Sequence, residues 1–319
     1  ATMKRRNILF ILSALILLIV GGLTWGSFYM LNYSLRPDKN KETKEESLAY
    51  MFREYPYIKP WIDSLQEVGA LRDTNIYSPA NNVKLHAYYI KASRPTTHTA
   101  VIVHGYTDNA IRIMQIGYMY NHDLGFNILL PDLQYHGQSE GNAIQMGWKD
   151  RLDVLHWMQT AAHIYGDSIR MVVHGISMGA ATTMMVSGEP QQNYVKCFVE
   201  DCGYTSVWEQ FSKELKEQFN IPDFPLLYAA SWLCQLKYGW NFQEASALDQ
   251  IKHCHLPMLF IHGDADKYVP TYMVNKLFEN KPAPKECWIV PNAEHAVSYK
   301  ENKEAYTKRV KEFVSKYIF

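Results

Sequence analysis

Twenty-four consecutive residues, Ile8 to Leu31, carry no charge, and beyond them short apolar runs alternate with amphipathic stretches. As a helix the first run would be about 36 Å long, enough to cross a hydrocarbon core of about 30 Å. Lys4, Arg5 and Arg6 stand in front of it, and cytoplasmic retention of positive charge predicts that the N-terminus stays inside. Trp25, Phe28 and Tyr29 suit the opposite interface. A cleaved secretory signal, with the shorter apolar core Ile8 to Val20, is the competing reading, but no small-x-small cleavage site stands near Gly21 to Ser27. The run therefore predicts a transmembrane signal anchor over residues 1–32, in contact with the lipid bilayer through 8–31. The remaining chain would then be extracytoplasmic, in the periplasm or at the cell surface, or secreted if the segment is cleaved.

Residues 33–70 read as a charged linker followed by amphipathic helices. Arg36 to Glu46 mixes Lys and Glu; Leu48, Met51, Phe52 and Tyr55 then share one helical face, and after Pro56 the spacing resumes with Ile58, Trp61, Ile62 and Leu65. The main domain is expected over 71–319. Turn-rich Ser78 to Asn82 separates Ile76 from the alternating Val83, Leu85, Ala87 and Tyr89, which predicts an antiparallel hairpin at a sheet edge. Apolar runs then recur at Ala100–Val103, Asn127–Leu130, Ile169–Val173, Val195–Val199, Met258–Ile261 and Glu286–Val290, with helical stretches between them. That rhythm predicts an α/β fold with a mostly parallel central sheet and helices on both faces. A last helix presents Val310, Phe313, Val314 and Tyr317 on one side.

One interval breaks the rhythm. Almost sixty residues separate Val199 from Met258, more than a single crossover helix requires. Trp208, Phe211, Leu215 and Phe219 are helically spaced, Pro222 and Pro225 interrupt, and Leu226 to Leu236 is apolar and aromatic. The interval predicts a small helical lid over about 205–247, with Trp208, Phe211 and Trp232 as candidate substrate-binding residues. The plain alternative is a pair of helices that merely cover the sheet.

Candidate chemistry begins at Gly175-Ile176-Ser177-Met178-Gly179, where the strand ending near Val173 meets a helix running to about Ser187. A serine between small residues at such a strand–helix turn is a nucleophile elbow. A serine hydroxyl needs a base, and the base needs an acid to hold it. Asp266 follows the apolar run Met258–Ile261, and His295 follows Cys287–Val290, so both fall in loops beyond strand ends, where open α/β sheets build their sites. Asp264 and Asp201 compete with Asp266 for the acid. His253-Cys254-His255 has the residue types of a metal site. Adjacent side chains diverge in an extended segment, however, and no second pair stands at zinc spacing, so no metal is expected.

The order Ser177, Asp266, His295 resembles that of the α/β-hydrolase superfamily, and within it the serine aminopeptidase-like group and bacterial membrane-anchored relatives of undefined substrate. The likeness covers Val83 to the C-terminus and includes His104-Gly105-Tyr106, Asp132 to Ser139 (D-x-x-G-H-G-x-S in the group, with Tyr135 replacing its first glycine) and the stretch His262 to Pro270. It departs again at Ile176, where many members have histidine. The resemblance implies an oxyanion hole built from the backbone amides of Tyr106 and Met178, loop-organising roles for His104 and His136, and no cofactor. It implies a serine hydrolase acting on small-molecule acyl esters, with amides or peptides as further substrates. Acyl transfer through the same acyl-enzyme, or an inert binding protein on the same scaffold, are the alternatives.

Composition narrows this little further. Net charge is zero and no basic stripe occurs, which argues against a nucleic-acid partner. Five scattered cysteines have no disulfide-framework spacing, and 47% hydrophobic content suffices for one large core.

Overall fold

The computed structural model describes residues 2–37 and 42–319; Ala1 and residues 38–41, the latter inside the expected charged linker, lie outside the described residues. Among the described residues there are eight strands: β1 (Arg72–Tyr77), β2 (Lys84–Ile90), β3 (His98–Val103), β4 (Asn127–Pro131), β5 (Arg170–Ile176), β6 (Val195–Asp201), β7 (Met258–Gly263) and β8 (Lys285–Val290). They form one sheet in the order β1-β2-β4-β3-β5-β6-β7-β8. β1 and β2 make the expected edge hairpin, with Ile76 opposite Leu85, and β2 is antiparallel to β4. Every later pairing is parallel. The inner strands are mostly apolar because both faces are covered, with His174, Glu200, Asp201 and His262 buried near their C-terminal ends. Val101, Val103, Val173, Phe198 and Phe260 pack on one side, and Ala100, Ile102, Val172, Val199 and Leu259 on the other. That division is the two-residue period of a strand written onto two cores.

The helices are α1 (Thr2–Leu35), α2 (Lys44–Glu54), α3 (Lys59–Glu67), α4 (Met114–Tyr118), α5 (Asp150–Tyr165) and α6 (Met178–Ser187), then α7 (Val207–Phe219), α8 (Leu226–Tyr238), α9 (Ala247–Ile251), α10 (Tyr272–Asn280), α11 (Ser298–Glu301) and α12 (Lys303–Ser315). α2 starts with a reciprocal capping box: Glu46 N donates to Thr43 Oγ1 at 3.2 Å and Thr43 N to the Glu46 carboxylate at 2.8 Å. α12 buries Val310, Phe313 and Val314, as expected, together with Tyr306; Tyr317, expected on the same face, lies past the end of the helix and is half-buried against the same core.

α1 is long and apolar enough to cross a membrane, judged by length and composition. Its first part, including Ile8 to Leu12 and Leu15 to Val20, stands exposed, whereas Ser27, Met30, Leu31 and Leu35 are buried. The helix runs past the expected end at residue 32 to Leu35, and its last turns belong to the domain. Leu31 and Leu35 share a core with Leu227, Ala230 and Cys234 of α8, and Ile144 N donates to the Leu35 carbonyl at 2.8 Å. In the lid interval, Ser206 caps α7 by accepting from Glu209 N, and Asn220 ends it in the left-handed region.

Candidate active site

Ser177 sits between β5 and α6 with φ 57° and ψ −119°. For a non-glycine residue this conformation costs on the order of 1–3 kcal/mol and must be held from outside. Its amide donates to the Asp201 carbonyl at 2.8 Å, which fixes the turn to β6. The flanking glycines are required by contact. A Cβ on Gly175 would lie 2.0 Å from the Gly179 carbonyl oxygen, and one on Gly179 would lie 2.1 Å from that of Val103. Strand, turn and helix thus pass too closely for any side chain at either position, and the serine hydroxyl projects from the apex.

The loops after β7 and β8 bring the other expected residues to it. Ser177 Oγ and His295 Nε2 are 2.8 Å apart, and His295 Nδ1 lies 2.7 Å from Asp266 Oδ2. Asp266 is buried, and its second oxygen accepts the amides of Tyr268 and Val269 at 3.0 and 2.9 Å. A carboxylate so held keeps the Nδ1 proton of the imidazole and leaves the Nε2 lone pair toward the hydroxyl. The competing acids are engaged elsewhere. Asp264 accepts from Asn292 N at 2.6 Å and so ties the two loops together, while Asp201 accepts from the Tyr306 hydroxyl at 2.8 Å. Burial pushes the Asp201 carboxyl up to about 7, against that hydrogen bond.

Tyr106 follows β3 in a loop whose Gly105 lies against the nucleophile: a Cβ added there would sit 3.4 Å from Ser177 Cβ. Met178 is the first residue of α6. Neither backbone amide donates to a backbone acceptor among the described residues, so both are free for a ligand oxygen. His104 and His136 organise this loop. Each donates from Nδ1 to a backbone carbonyl, of Gly105 and Gln134, and accepts an amide at Nε2, from Leu133 and Thr107. Burial holds both imidazoles below their usual range, consistent with neutral rings that accept.

A cavity of about 670 Å³ opens over Ser177. Of the three lid aromatics singled out from sequence, Phe211 lines it. Trp208 instead stacks edge-on with Tyr228 at 4.8 Å, and Trp232 on α8 is 66% exposed on the outer surface. Sequence reasoning missed two walls. One is a polar stripe, Gln210, Glu214 and Gln218, spaced by four along α7; the other is the end of α1 from Asn32 to Ser34, with Arg36 and Pro37. The helical spacing of the stripe was the available signal.

His253 and His255 are exposed on either side of buried Cys254, so the three side chains diverge as expected. Cys202, Asp266 and His295 offer ligand atoms within 4.8 Å of one another. Two of the three, Asp266 and His295, are already bonded to each other in the series that ends at Ser177. All five cysteines are free.

A model of the prolyl oligopeptidase family matches residues 133–318. The chain belongs to that family. It is 32% identical over 226 residues to the uncharacterized protein YqkD of Bacillus subtilis (strain 168), across 71% of this chain and 74% of that protein. It is 24% identical to the uncharacterized membrane protein YNL320W of Saccharomyces cerevisiae, across 64% of this chain and 66% of that one. Among solved structures, the Pyrococcus furiosus esterase Pf2001 superposes with a TM-score of 0.63 at 22% identity, covering 80% of this chain and 96% of the esterase. At that identity the likeness speaks for the α/β-hydrolase fold, the superfamily expected from the motifs.

Proposed function

We propose that this chain is a membrane-anchored serine hydrolase that cleaves acyl esters. The observation that carries the reading is the hydrogen-bonded series Ser177–His295–Asp266, at 2.8 and 2.7 Å, beside two free backbone amides. Ser177 Oγ attacks the acyl carbonyl while His295 Nε2 takes its proton, and Asp266 stabilises the imidazolium. The amides of Tyr106 and Met178 receive the oxyanion. His295 then protonates the leaving alcohol, and the acyl-enzyme is released when His295 activates a water on the same carbonyl. These steps draw on protein groups and water alone.

Esters are favoured over peptides by the cavity wall. A peptidase that reads a free substrate amine needs an uncommitted carboxylate. The acid on this wall, Glu214, already accepts from Gln210, Lys213 and Gln218. The anchor reading is supported by the exposed apolar length of α1 behind Lys4, Arg5 and Arg6, and by a yeast relative named a membrane protein. Cytoplasmic retention of those charges puts the hydrolase domain outside the cytoplasm.

The test is labelling of the full chain with ethyl fluorophosphonate, alongside hydrolysis of an aryl acetate and of an aminoacyl anilide. Adduct on Ser177 with ester turnover supports the reading. Turnover of the anilide alone would move the substrate to peptides, product carrying an added alcohol acceptor would make the enzyme an acyltransferase, and absence of any adduct would end the serine-hydrolase assignment.

A further inference from the structure

A second hollow of about 340 Å³ lies beside the cavity over Ser177, between the last turns of α1 and the lid helices. Between the two, the Tyr33 hydroxyl donates to Gln218 Oε1 at 3.0 Å. Tyr33, Ser34, Phe211, Glu214 and Gln218 line both, so the two share a wall. Away from the nucleophile the lining turns apolar, with Trp25, Tyr29, Leu215, Phe219 and Leu226. The far end lies at Trp25 and Gly26, where α1 leaves the domain. Upstream of that point, Lys4 to Trp25 provides about 33 Å of helix at the usual rise, the thickness of a hydrocarbon core of about 30 Å. The groove mouth therefore falls at the bilayer surface.

α8 lies across this exit. Leu226, at one of its ends, is 3.1 Å from where a Gly26 Cβ would stand, and Lys237, at the other, reaches to 5.6 Å from the Phe28 ring. It buries Leu227, Ala230 and Cys234 in the core that also holds Leu31 and Leu35. Its opposite face thus points away from that core. That face carries Tyr228, Trp232 and Leu236 at 52%, 66% and 63% exposure, spaced by four, with Phe224 ahead of them at 73%. An aromatic stripe on a helix lying crosswise at the exit of a membrane span is the chemistry of an interfacial helix.

We propose that the substrate is a membrane-resident long-chain ester, whose acyl chain enters from the bilayer through the groove between α1 and α7–α8 and presents its carbonyl to Ser177. The proposal rests on the serine-hydrolase reading above. The anchor then does more than tether: its final turns form one side of the acyl channel, and the exposed face of α8 seats the mouth in the lipid.

The test uses the full chain in phosphatidylcholine vesicles and two probes, ethyl fluorophosphonate and a hexadecyl fluorophosphonate with a diazirine at the chain end. In each, Ser177 Oγ bonds to phosphorus and fluoride leaves. After irradiation, cross-links mapped to the segment Trp25 to Tyr33 or Leu215 to Leu226 are expected. Cross-links confined to Met146 or Tyr204, on the other side of the cavity, would overturn the channel. Phe219→Glu and Leu226→Glu should each lower the hexadecyl-to-ethyl ratio of labelling rates by roughly tenfold or more, since each buried methylene contributes roughly three- to fourfold. An unchanged ratio in both would also overturn it. The ethyl probe separates the two failures: if it labels Ser177 while the hexadecyl probe does not, the channel fails and the hydrolase stands, and if it does not label, both fall.

Discussion

The Tyr106 hydroxyl donates a 2.7 Å hydrogen bond to the Ser34 carbonyl, joining the loop that carries one candidate oxyanion amide to the end of α1. The end of α1 and the loop of Tyr106 are therefore joined. Two truncations separate anchoring from this role. A chain starting at Gly26 keeps the buried Met30, Leu31 and Leu35; a chain starting at Arg36 loses all three. At about 1.5–3 kcal/mol for each buried side chain, the shorter protein should be less stable by roughly 5 kcal/mol, and its ester turnover should fall. Urea unfolding of the two soluble proteins is the measurement. Equal midpoints and equal turnover would make the last turns of α1 dispensable.

The elbow predicts a sharp contrast between glycines. Gly179→Ala would drive a methyl against the Val103 carbonyl, backbone that cannot swing aside, whereas a Cβ on Gly21 meets nothing within 4 Å. The first should cost more than about 4 kcal/mol or prevent folding, and the second should change thermal stability little. A folded Gly179→Ala protein with unaltered melting temperature would mean the strand–helix approach is looser than described.

These outcomes bear on what the sequence could reveal. β3 to β7 are mostly apolar runs covered on both faces, and the edge strand β8 keeps the apolar stretch Cys287 to Val290, so these strands stood out by composition. Ser177, Asp266 and His295 each follow such a run, which made their meeting at the strand ends foreseeable. The walls of the cavity were harder to read. Gln210, Glu214 and Gln218 look like a solvated helix face until something is known to lie opposite them. Trp232 looks like lid interior because aromatic helices usually turn inward. What decides both cases is the packing of α8 against the end of α1, a contact between segments about 200 residues apart that no local pattern encodes. The same contact carries the helix past residue 32, the expected end of the anchor, to Leu35.

The site assignment makes its own kinetic prediction. Ser177→Ala should lower kcat by about 10⁶ and Asp266→Asn by about 10⁴, as in other triads, with folding intact. Asp201→Asn should retain most activity, since the Asp201 side chain meets the Tyr306 hydroxyl and not His295. Steady-state hydrolysis of an aryl acetate by the three variants decides the acid. An active Asp266→Asn protein beside an inactive Asp201→Asn one would transfer that role to Asp201.

Asp150 predicts a pH dependence of stability. It is buried at the start of α5, where one oxygen accepts the Gly147 amide at 2.9 Å and the Gln134 backbone also stands close to the carboxyl. Around it stand Asp153, one turn on and itself bonded to Ser78 and Gln134, Lys149, which donates to the Tyr238 carbonyl, and Tyr204. Burial, reinforced by the Asp153 charge, pushes the Asp150 carboxyl up to about 8. An unfolded aspartate titrates near ~3.9, so between the two values the folded protein holds a proton that the unfolded chain has released. The contribution of Asp150 to stability is thus fully present below about pH 4 and is lost as pH rises through about 8. Asp150→Asn keeps an oxygen for Gly147 and cannot ionise. Its stability relative to the unsubstituted protein should be near zero at about pH 4 and grow to on the order of 2–4 kcal/mol in its favour by about pH 8.5, measured by urea unfolding. A difference of the same size at both pH values would show that the substitution acts through packing and that Asp150 is ionised in the folded protein.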